Sequence, residues 1–140
     1  EGTIFLHANI DAASTEEGQR FICISDYPTN TNRIEILKSA GKFYIYVAAS
    51  STEQWGVTTT QSIVGNCKIA LAYKNNDAIF YVNGVQIASD STFTVPACSV
   101  LLLGTSAFDT SSHIGLAKYN SAALWKTRLT NQELVTLTTI

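Results

Sequence analysis

The stretch AIFYVNGVQIAS, residues 78–89, decides how the rest of the chain is interpreted. Apolar side chains recur at every second residue on both sides of Asn83-Gly84, which is the spacing of residues on one face of a strand. An Asn-Gly pair between two such runs favours a type I′ turn, because both central positions of that turn require positive φ. The sequence therefore predicts a β-hairpin in which Asn83-Gly84 forms the turn and carries no chemistry.

Other short runs with the composition of strands follow one another along the chain, separated by turn-forming residues. The predicted strands are residues 3–10, 20–25, 33–37, 42–48, 68–74 and 100–104, with a last pair within 113–125 that bends near Asn120. The run 100–104 is apolar throughout and is predicted to be interior, whereas the polar stretch 50–66 is predicted to be a long loop. Short strands at this spacing predict an all-β fold, a two-sheet antiparallel sandwich.

The segment TNQELVTL, residues 130–137, departs from the strand pattern. The Thr130 hydroxyl can accept a hydrogen bond from the backbone amide of Glu133, and the Glu133 carboxylate can reach back to Thr130, which is a capping box. Leu134 and Leu137 then lie on one face of a helix. The sequence predicts one short helix that begins near Asn131 and closes the domain.

The composition limits the partners of the chain. Its 140 residues are predicted to form one domain, residues 1–140, which we expect to be the C-terminal part of a longer chain. Charged residues make up 14% of the sequence, against about 25% in soluble domains, and the net charge is -2 with no basic cluster. Nucleic acid and membrane insertion are therefore not expected, because the first needs concentrated Lys and Arg and the second an apolar run of about 20 residues.

The three cysteines, Cys23, Cys67 and Cys98, are widely spaced and odd in number. A disulfide framework or a zinc site requires closer or paired cysteines, so all three thiols are predicted to be reduced and buried. No cofactor and no metal is predicted, and calcium at the Asx-rich loop near Asp26 or at Asp109 stays an open alternative to simple turn formation.

Two segments, KIALAYKNNDAIFYVNG (residues 68–84) and ALWKTRLTNQELVTL (residues 123–137), resemble the concanavalin A-like lectin/glucanase family in its laminin-G-like branch. With QRFICISDYPTNTNRIEIL (residues 19–37), they are similar to C-terminal domains of bacteriophage tail fibres and tailspikes. The resemblance implies a two-sheet jelly-roll sandwich displayed at the tip of a trimeric fibre, where it touches the host surface. Its motifs are packing and turn motifs, so function follows from it only by analogy.

Catalysis is not expected. Glycan-hydrolysing members of this fold place paired carboxylates on one strand, at a separation that suits an acid and a nucleophile or base. In this family the paired carboxylates lie in an E-x-D-x-x-E motif, which is absent from this sequence. The adjacent pair Glu16-Glu17 lies in a polar segment. Glu35 stands alone in its predicted strand. The sequence therefore predicts a protein that is not an enzyme.

Sugar binding requires an exposed aromatic ring together with polar groups that bind hydroxyls. Trp55 is the first candidate, because it lies in the Thr-rich stretch that is predicted to be a loop. Tyr44 and Tyr46 share one face of their predicted strand. If that face is open they form a stacking surface, and if a second sheet covers it they belong to the core; the sequence leaves both readings open.

A second polar-aromatic patch is predicted at a loop end, and it consists of Tyr27, Asn30, Asn32 and Arg33. Together with the resemblance to phage fibre domains, these residues predict a non-catalytic, lectin-like, receptor-binding tip domain that recognises a host-surface polysaccharide or glycan. The expected assembly is a homotrimer in a phage tail, made in the host cytoplasm and located in the virion. Two alternatives remain, a structural trimerisation or capping domain of a fibre and a protein-binding laminin-G-like module.

Overall fold

The computed structural model describes residues 1–11, 17–62, 64–106, 114–115 and 117–140. The chain comprises two compact units, and each contains one sheet. The first unit consists of Glu1–Ile10, Val64–Val95 and Lys118–Ile140, and the second of Asp11–Ile63 and Pro96–Ala117. The expectation of one domain over residues 1–140 stays a prediction.

The described residues form ten strands and one helix. The strands are β1 (Gly2–Ile10), β2 (Arg20–Ser25), β3 (Arg33–Ser39), β4 (Lys42–Ala49), β5 (Thr52–Ser62), β6 (Gly65–Lys74), β7 (Asp77–Val82), β8 (Val85–Asp90), β9 (Val100–Leu103) and β10 (Ala117–Trp125), and the helix is α1 (Asn131–Thr138). No helix in the described part of the chain is long and apolar enough to cross a membrane.

The sheet of the first unit has the strand order β10-β1-β6-β7-β8. Strands β6, β7 and β8 follow one another as antiparallel hairpins. Asn83 and Gly84 connect β7 to β8 with φ values of 50° and 81°, which is the pair of positive angles that a type I′ turn requires. The predicted hairpin is confirmed.

Helix α1 covers part of one face of this sheet. Its capping box is present, since the Glu133 amide donates to Thr130 Oγ1 and the Thr130 amide donates to the Glu133 carboxylate. Leu134 is fully buried in a cluster with Phe5 and Tyr81, and Trp125 packs against the same cluster with its ring edge-on to Phe5. The predicted helix and its start are therefore confirmed.

The sheet of the second unit has the order β5-β4-β3-β2-β9. One face of its central strands is aliphatic and aromatic and is buried. The members of this apolar face on β3, β4 and β5 include Ile34, Ile36, Phe43, Ile45, Val47 and Trp55. The opposite face carries the polar and tyrosine side chains that form the candidate site.

The prediction of a loop over residues 50–66 is wrong, because residues 52–62 form strand β5. Threonine is β-branched and fits a strand, and β5 lies at the edge of its sheet, where polar side chains can face solvent. Trp55 pairs with Val47 and is only 8% exposed. The expectation that Trp55 is an exposed ring is therefore wrong as well. That Trp55 belongs to a binding site stays a prediction, and its burial does not support it.

Three smaller expectations also change. Residues 117–125 form one strand that continues through Asn120, instead of two strands with a bend there, and residue 113 lies outside the described residues. Strand β9 lies at a sheet edge with Leu103 42% exposed, so it is not interior. Cys23 and Cys67 are buried as predicted, but Cys98 is partly exposed.

Truncation of Trp55 tests its assignment to the core. We expect Trp55→Ala to lower the free energy of unfolding by about 3–5 kcal/mol, because the change removes a large buried ring and leaves a cavity. The measurement is chemical denaturation followed by circular dichroism. The control is Gln61→Ala, at an exposed position of the same strand, with an expected change within about 0.5 kcal/mol. An unchanged unfolding midpoint for Trp55→Ala would contradict the assignment.

Candidate functional site

The candidate site is built on the face of the second sheet opposite Trp55, which we call the tyrosine face. Strand register places its side chains in three rows that run across β3, β4 and β5. The rows are Arg33–Ala48–Glu53, Glu35–Tyr46–Gly56 and Leu37–Tyr44–Thr58. Tyr44 and Tyr46 therefore stand in the middle column, with Arg33 and Glu35 on the β3 side and Glu53 on the β5 side.

Glu35 anchors the β3 side of this face. Glu35 is only 3% exposed, and its carboxylate contacts three other side chains. Arg33 Nε lies 3.3 Å from Oε2, Arg20 Nε lies 3.7 Å from Oε1, and Ser106 Oγ donates to Oε1 at 2.8 Å. Two guanidinium groups thus share one buried carboxylate, and the cluster carries a net charge of one positive unit.

Arg33 is held on three sides. Besides its ion pair with Glu35, its Nη1 donates to the carbonyl of Asn30 at 2.5 Å, and its guanidinium carbon lies 4.6 Å from the centre of the Tyr46 ring. A cation over an aromatic face is attracted by the ring quadrupole. The guanidinium therefore covers one face of Tyr46, and Tyr46 cannot offer that face to a ligand.

The two tyrosines do not form a flat platform. Their ring centres are 6.4 Å apart and their planes are inclined by 36°. Burial raises the pKa of Tyr44, and the nearby Glu53 and Tyr46 raise it further. Tyr44 therefore stays protonated at neutral pH and can donate a hydrogen bond.

Gly56 lies on the β5 side of the tyrosine face, opposite Tyr46. A Cβ added to Gly56 would lie 2.5 Å from Glu53 Oε1 and 2.7 Å from Tyr44 Oη. The carboxylate and the phenol oxygen thus converge above the same α-carbon, and only glycine leaves room for both. Within the described ranges, neither oxygen makes a hydrogen bond.

Two β-bulges bring charged side chains to this face. The register of β2 against β3 shifts between Arg20 and Ile22, and the register of β4 against β5 shifts between Val47 and Ala48. Because of the second shift, Trp55 and Glu53 point to opposite faces although they are two residues apart. A bulge re-aims side chains in this way, and here the bulges deliver Arg20 and Glu53 to the tyrosine face.

The structure joins parts of the two predicted aromatic patches. Arg33, from the second patch, lies against Tyr46, from the first, and Tyr44 lies beside them. Asn30 contributes its backbone carbonyl to Arg33. Tyr27 is 53% exposed at the loop that precedes β3.

Asn32 closes the loop between β2 and β3. Its Nδ2 donates to Asp26 Oδ2 at 2.9 Å, and its Oδ1 accepts from the Ser50 amide at 3.1 Å. Thr31 Oγ1 also donates to Asp26 Oδ2, at 2.6 Å. The hydrogen bonds from Thr31 and then Asn32 hold the pKa of Asp26 well below its ordinary range. The Asn32 side chain therefore has a structural role in this loop.

The contacts of Asp26 in the Asx-rich loop are those of a turn. Thr31 and Asn32 both donate hydrogen bonds to Asp26 Oδ2, and these bonds stabilise the negative charge of the carboxylate. Among the residues that the structure describes, no three His, Cys, Asp or Glu side chains come together as a metal site, and Asp109 lies outside those residues.

Three site residues were missed at the level of sequence, namely Arg20, Glu35 and Glu53. Glu35 could have been found, because a lone carboxylate within an apolar strand requires a charged partner when it is buried. Arg20 and Glu53 could not, because simple alternation places them on the wrong face of their strands.

No protein-family model matches the sequence, and no curated protein sequence matches it. Solved structures do match. The carbohydrate-binding module CBM40 of the Ruminococcus gnavus IT-sialidase has a TM-score of 0.73 and 15% identity over 98% of this chain and 82% of that one. The same module has been solved bound to α2,3- and α2,6-sialyllactose.

Two larger proteins are similar over part of their length. A mutant of the NanB sialidase of Streptococcus pneumoniae has a TM-score of 0.76 and 15% identity, over 96% of this chain and 23% of the sialidase. Domains LG4-5 of the mouse laminin α1 chain have a TM-score of 0.68 and 12% identity, over 94% of this chain and 37% of that one. At this identity the likeness shows the fold alone. The fold is the concanavalin A-like jelly roll, as predicted.

Neutralising Glu35 tests whether the buried carboxylate organises the tyrosine face. We expect Glu35→Gln to lower the free energy of unfolding by about 3 kcal/mol, because the change leaves two guanidinium groups close together without their shared anion. Denaturant unfolding measures the effect. Glu53→Gln is the matched control, with an expected change within about 0.5 kcal/mol because Glu53 is exposed. Equal stability of the two variants would contradict the role of Glu35.

Proposed function

We propose that this domain is a non-catalytic glycan-binding module that binds an acidic sugar on its tyrosine face. The observation that carries the proposal is the pair of guanidinium groups that share one buried carboxylate beside two partly exposed tyrosines. The sialyllactose-bound state of the similar Ruminococcus gnavus module supports a sugar ligand.

The charge on the β3 side favours an anion. Arg20 and Arg33 bring two positive charges and Glu35 brings one negative charge. Each arginine donates from Nη1 to a backbone carbonyl, of Gly18 and Asn30 respectively, whereas its Nε faces Glu35 at ion-pair distance without a hydrogen bond. In the described part of the chain, neither Nη2 group has a hydrogen-bond partner. A sugar carboxylate would supply the acceptor that these two donors lack.

The tyrosines favour a ring-shaped, partly apolar ligand. Tyr46 lies against Arg33, and Tyr44 lies beside Tyr46. Aromatic groups of this kind contact the C–H surfaces of sugars while their hydroxyls bind sugar oxygens. The side chains are already ordered by their contacts with each other, so binding does not have to order them.

The same geometry argues for binding without catalysis. A glycosidase requires two carboxyl groups that both reach the substrate. Both oxygens of Glu35 are already engaged by Arg33, Arg20 and Ser106, so Glu35 does not present a carboxyl group to a sugar. Glu53 remains as the exposed carboxylate of this face.

The wider setting that we propose is the receptor-binding tip of a bacteriophage tail fibre or tailspike. The domain would then act as a homotrimer in the virion, after synthesis in the host cytoplasm, and its ligand would be a host-surface polysaccharide or glycan. Support for this setting comes from the segments at residues 19–37, 68–84 and 123–137, which resemble those fibre domains.

Binding of defined sugars tests the ligand class. We expect the domain to bind α2,3-sialyllactose more tightly than lactose, which lacks the carboxylate. Tyr46→Ala should weaken binding about fivefold, because it removes an aromatic contact of about 1 kcal/mol and the surface that positions Arg33. Calorimetry or ligand-observed NMR measures the affinity.

The control variant for this test is Lys126→Gln, which removes an exposed cation outside the tyrosine face. Its affinity should equal that of the unaltered domain. A domain that binds neither these sugars nor a printed array of sialylated, uronic-acid-containing and neutral oligosaccharides would contradict the proposed function. In that outcome the fibre-capping and protein-binding alternatives take its place.

The assembly is tested separately by mass in solution. We expect sedimentation of the domain to give the mass of three chains at high protein concentration. Tethering three copies through a trimeric coiled coil should then strengthen binding to a glycan-coated surface by about 10²–10⁴, because the second and third contacts become intramolecular. A monomer mass at every concentration would contradict self-assembly by this domain.

A further inference from the structure

We infer that Tyr44 and Glu53 form a second subsite above Gly56, which binds a hydroxyl group of the sugar and fixes its orientation on the tyrosine face. This inference rests on the proposed function, since it names how the same face selects its ligand. It adds residues from β5, a strand that the sequence did not predict.

The first observation is the convergence of two hydrogen-bonding oxygens on one point. Glu53 Oε1 and Tyr44 Oη lie 2.5 Å and 2.7 Å from the place where a Cβ of Gly56 would stand, which is closer than van der Waals contact. Glu53 reaches this point because the bulge between Val47 and Ala48 turns it to the tyrosine face. Gly56 itself is exposed, so a ligand can approach the two oxygens.

The second observation is that both oxygens are available. In the part of the chain that the structure describes, neither Glu53 nor the Tyr44 hydroxyl makes a hydrogen bond. An ionised carboxylate only accepts hydrogen bonds, whereas a phenol can donate one as well. The pair thus offers one acceptor and one donor above the same α-carbon.

A sugar hydroxyl matches this pair of groups. It can donate its proton to Glu53 and accept the proton of Tyr44 with its own oxygen. A second anionic group would be repelled by Glu53 and would have no charged donor there. The subsite therefore selects the neutral, hydroxyl-bearing end of the ligand.

Arg33 and Glu53 stand at opposite ends of one row of the sheet, with Ala48 between them. Two spacings between neighbouring strands place their α-carbons about 10 Å apart. A ligand that puts an anionic group at Arg33 and a hydroxyl at Glu53 lies across β4 in one direction only. Opposite charges at the two ends thus determine the orientation of the sugar.

Three variants test the subsite with the tightest ligand from the oligosaccharide array. Glu53→Gln should weaken binding about tenfold, because a hydrogen bond to a charged group is lost, and Tyr44→Phe about fivefold. Gly56→Ala should weaken it about tenfold by displacing both oxygens, which are the far ends of flexible side chains. Gln61→Ala is the control on the same strand, with no expected change in affinity.

The ligand itself supplies the sharpest measurement. Monodeoxy analogues of the array ligand identify the hydroxyl whose removal weakens binding to the unaltered domain. That analogue and its parent should bind Glu53→Gln with nearly equal affinity, because the partner of the missing hydroxyl is already gone. The unfolding midpoints of Glu53→Gln and Tyr44→Phe should match that of the unaltered domain, since both groups lack a hydrogen-bond partner in the described chain.

The outcomes separate this inference from the function on which it rests. If Tyr46→Ala loses affinity while Glu53→Gln, Tyr44→Phe and Gly56→Ala bind normally, the face binds glycans and the second subsite is wrong. If the unaltered domain binds nothing on the array, the proposed function is wrong and the subsite is wrong with it. If Glu53→Gln weakens every monodeoxy analogue as much as the parent, the group at Glu53 is not a hydroxyl, and the inference is overturned.

Discussion

A buried carboxylate determines the arrangement of the tyrosine face. Glu35 lies on a central strand with 3% exposure, where an unpaired charge would be strongly unfavourable. Arg20 and Arg33 offset that cost from two different strands, and Ser106 donates a further hydrogen bond. The ion pairs are not by themselves a source of stability, since replacing such a cluster with apolar residues is often neutral. Their consequence is positional, because Glu35 holds the Nε atoms of both guanidinium groups toward itself, and the Arg33 guanidinium lies over the Tyr46 ring.

The two bulges explain how one sheet face combines these charges with aromatic rings. A regular strand sends every second residue to the same side, so Arg20 would share a face with Ile22, and Glu53 with Trp55. The register shifts separate each of these pairs. The apolar partner stays on the buried face, and the charged partner turns to the tyrosine face. An edge strand such as β5 tolerates this irregularity, because only one side of it is bound to a neighbour.

The same local irregularities set the limit of what could be predicted from the sequence. The hairpin at Asn83-Gly84 and the helix cap at Thr130 depend on a few neighbouring residues, and both were predicted correctly. Tyr44 and Tyr46 were placed correctly on one face, because β4 is regular between them. The partners of these tyrosines come from β2 and β5 through shifts in register, which leave no periodic signal. Trp55 was misplaced for the related reason that a polar edge strand resembles a loop.

The loop before β3 helps to position Arg33 on the tyrosine face. Asp26 gathers the side chains of Thr31 and Asn32, and this closed loop places the Asn30 carbonyl where it accepts a hydrogen bond from Arg33. The lowered pKa of Asp26 means that its contribution to stability is present above the ordinary aspartate pKa and is lost only as the pH falls through the lower folded value. The loop should therefore keep its structure in mildly acidic solution. Arg33 is thus positioned by Glu35 from the sheet and by Asn30 from the loop, and together these contacts hold its guanidinium over the Tyr46 ring.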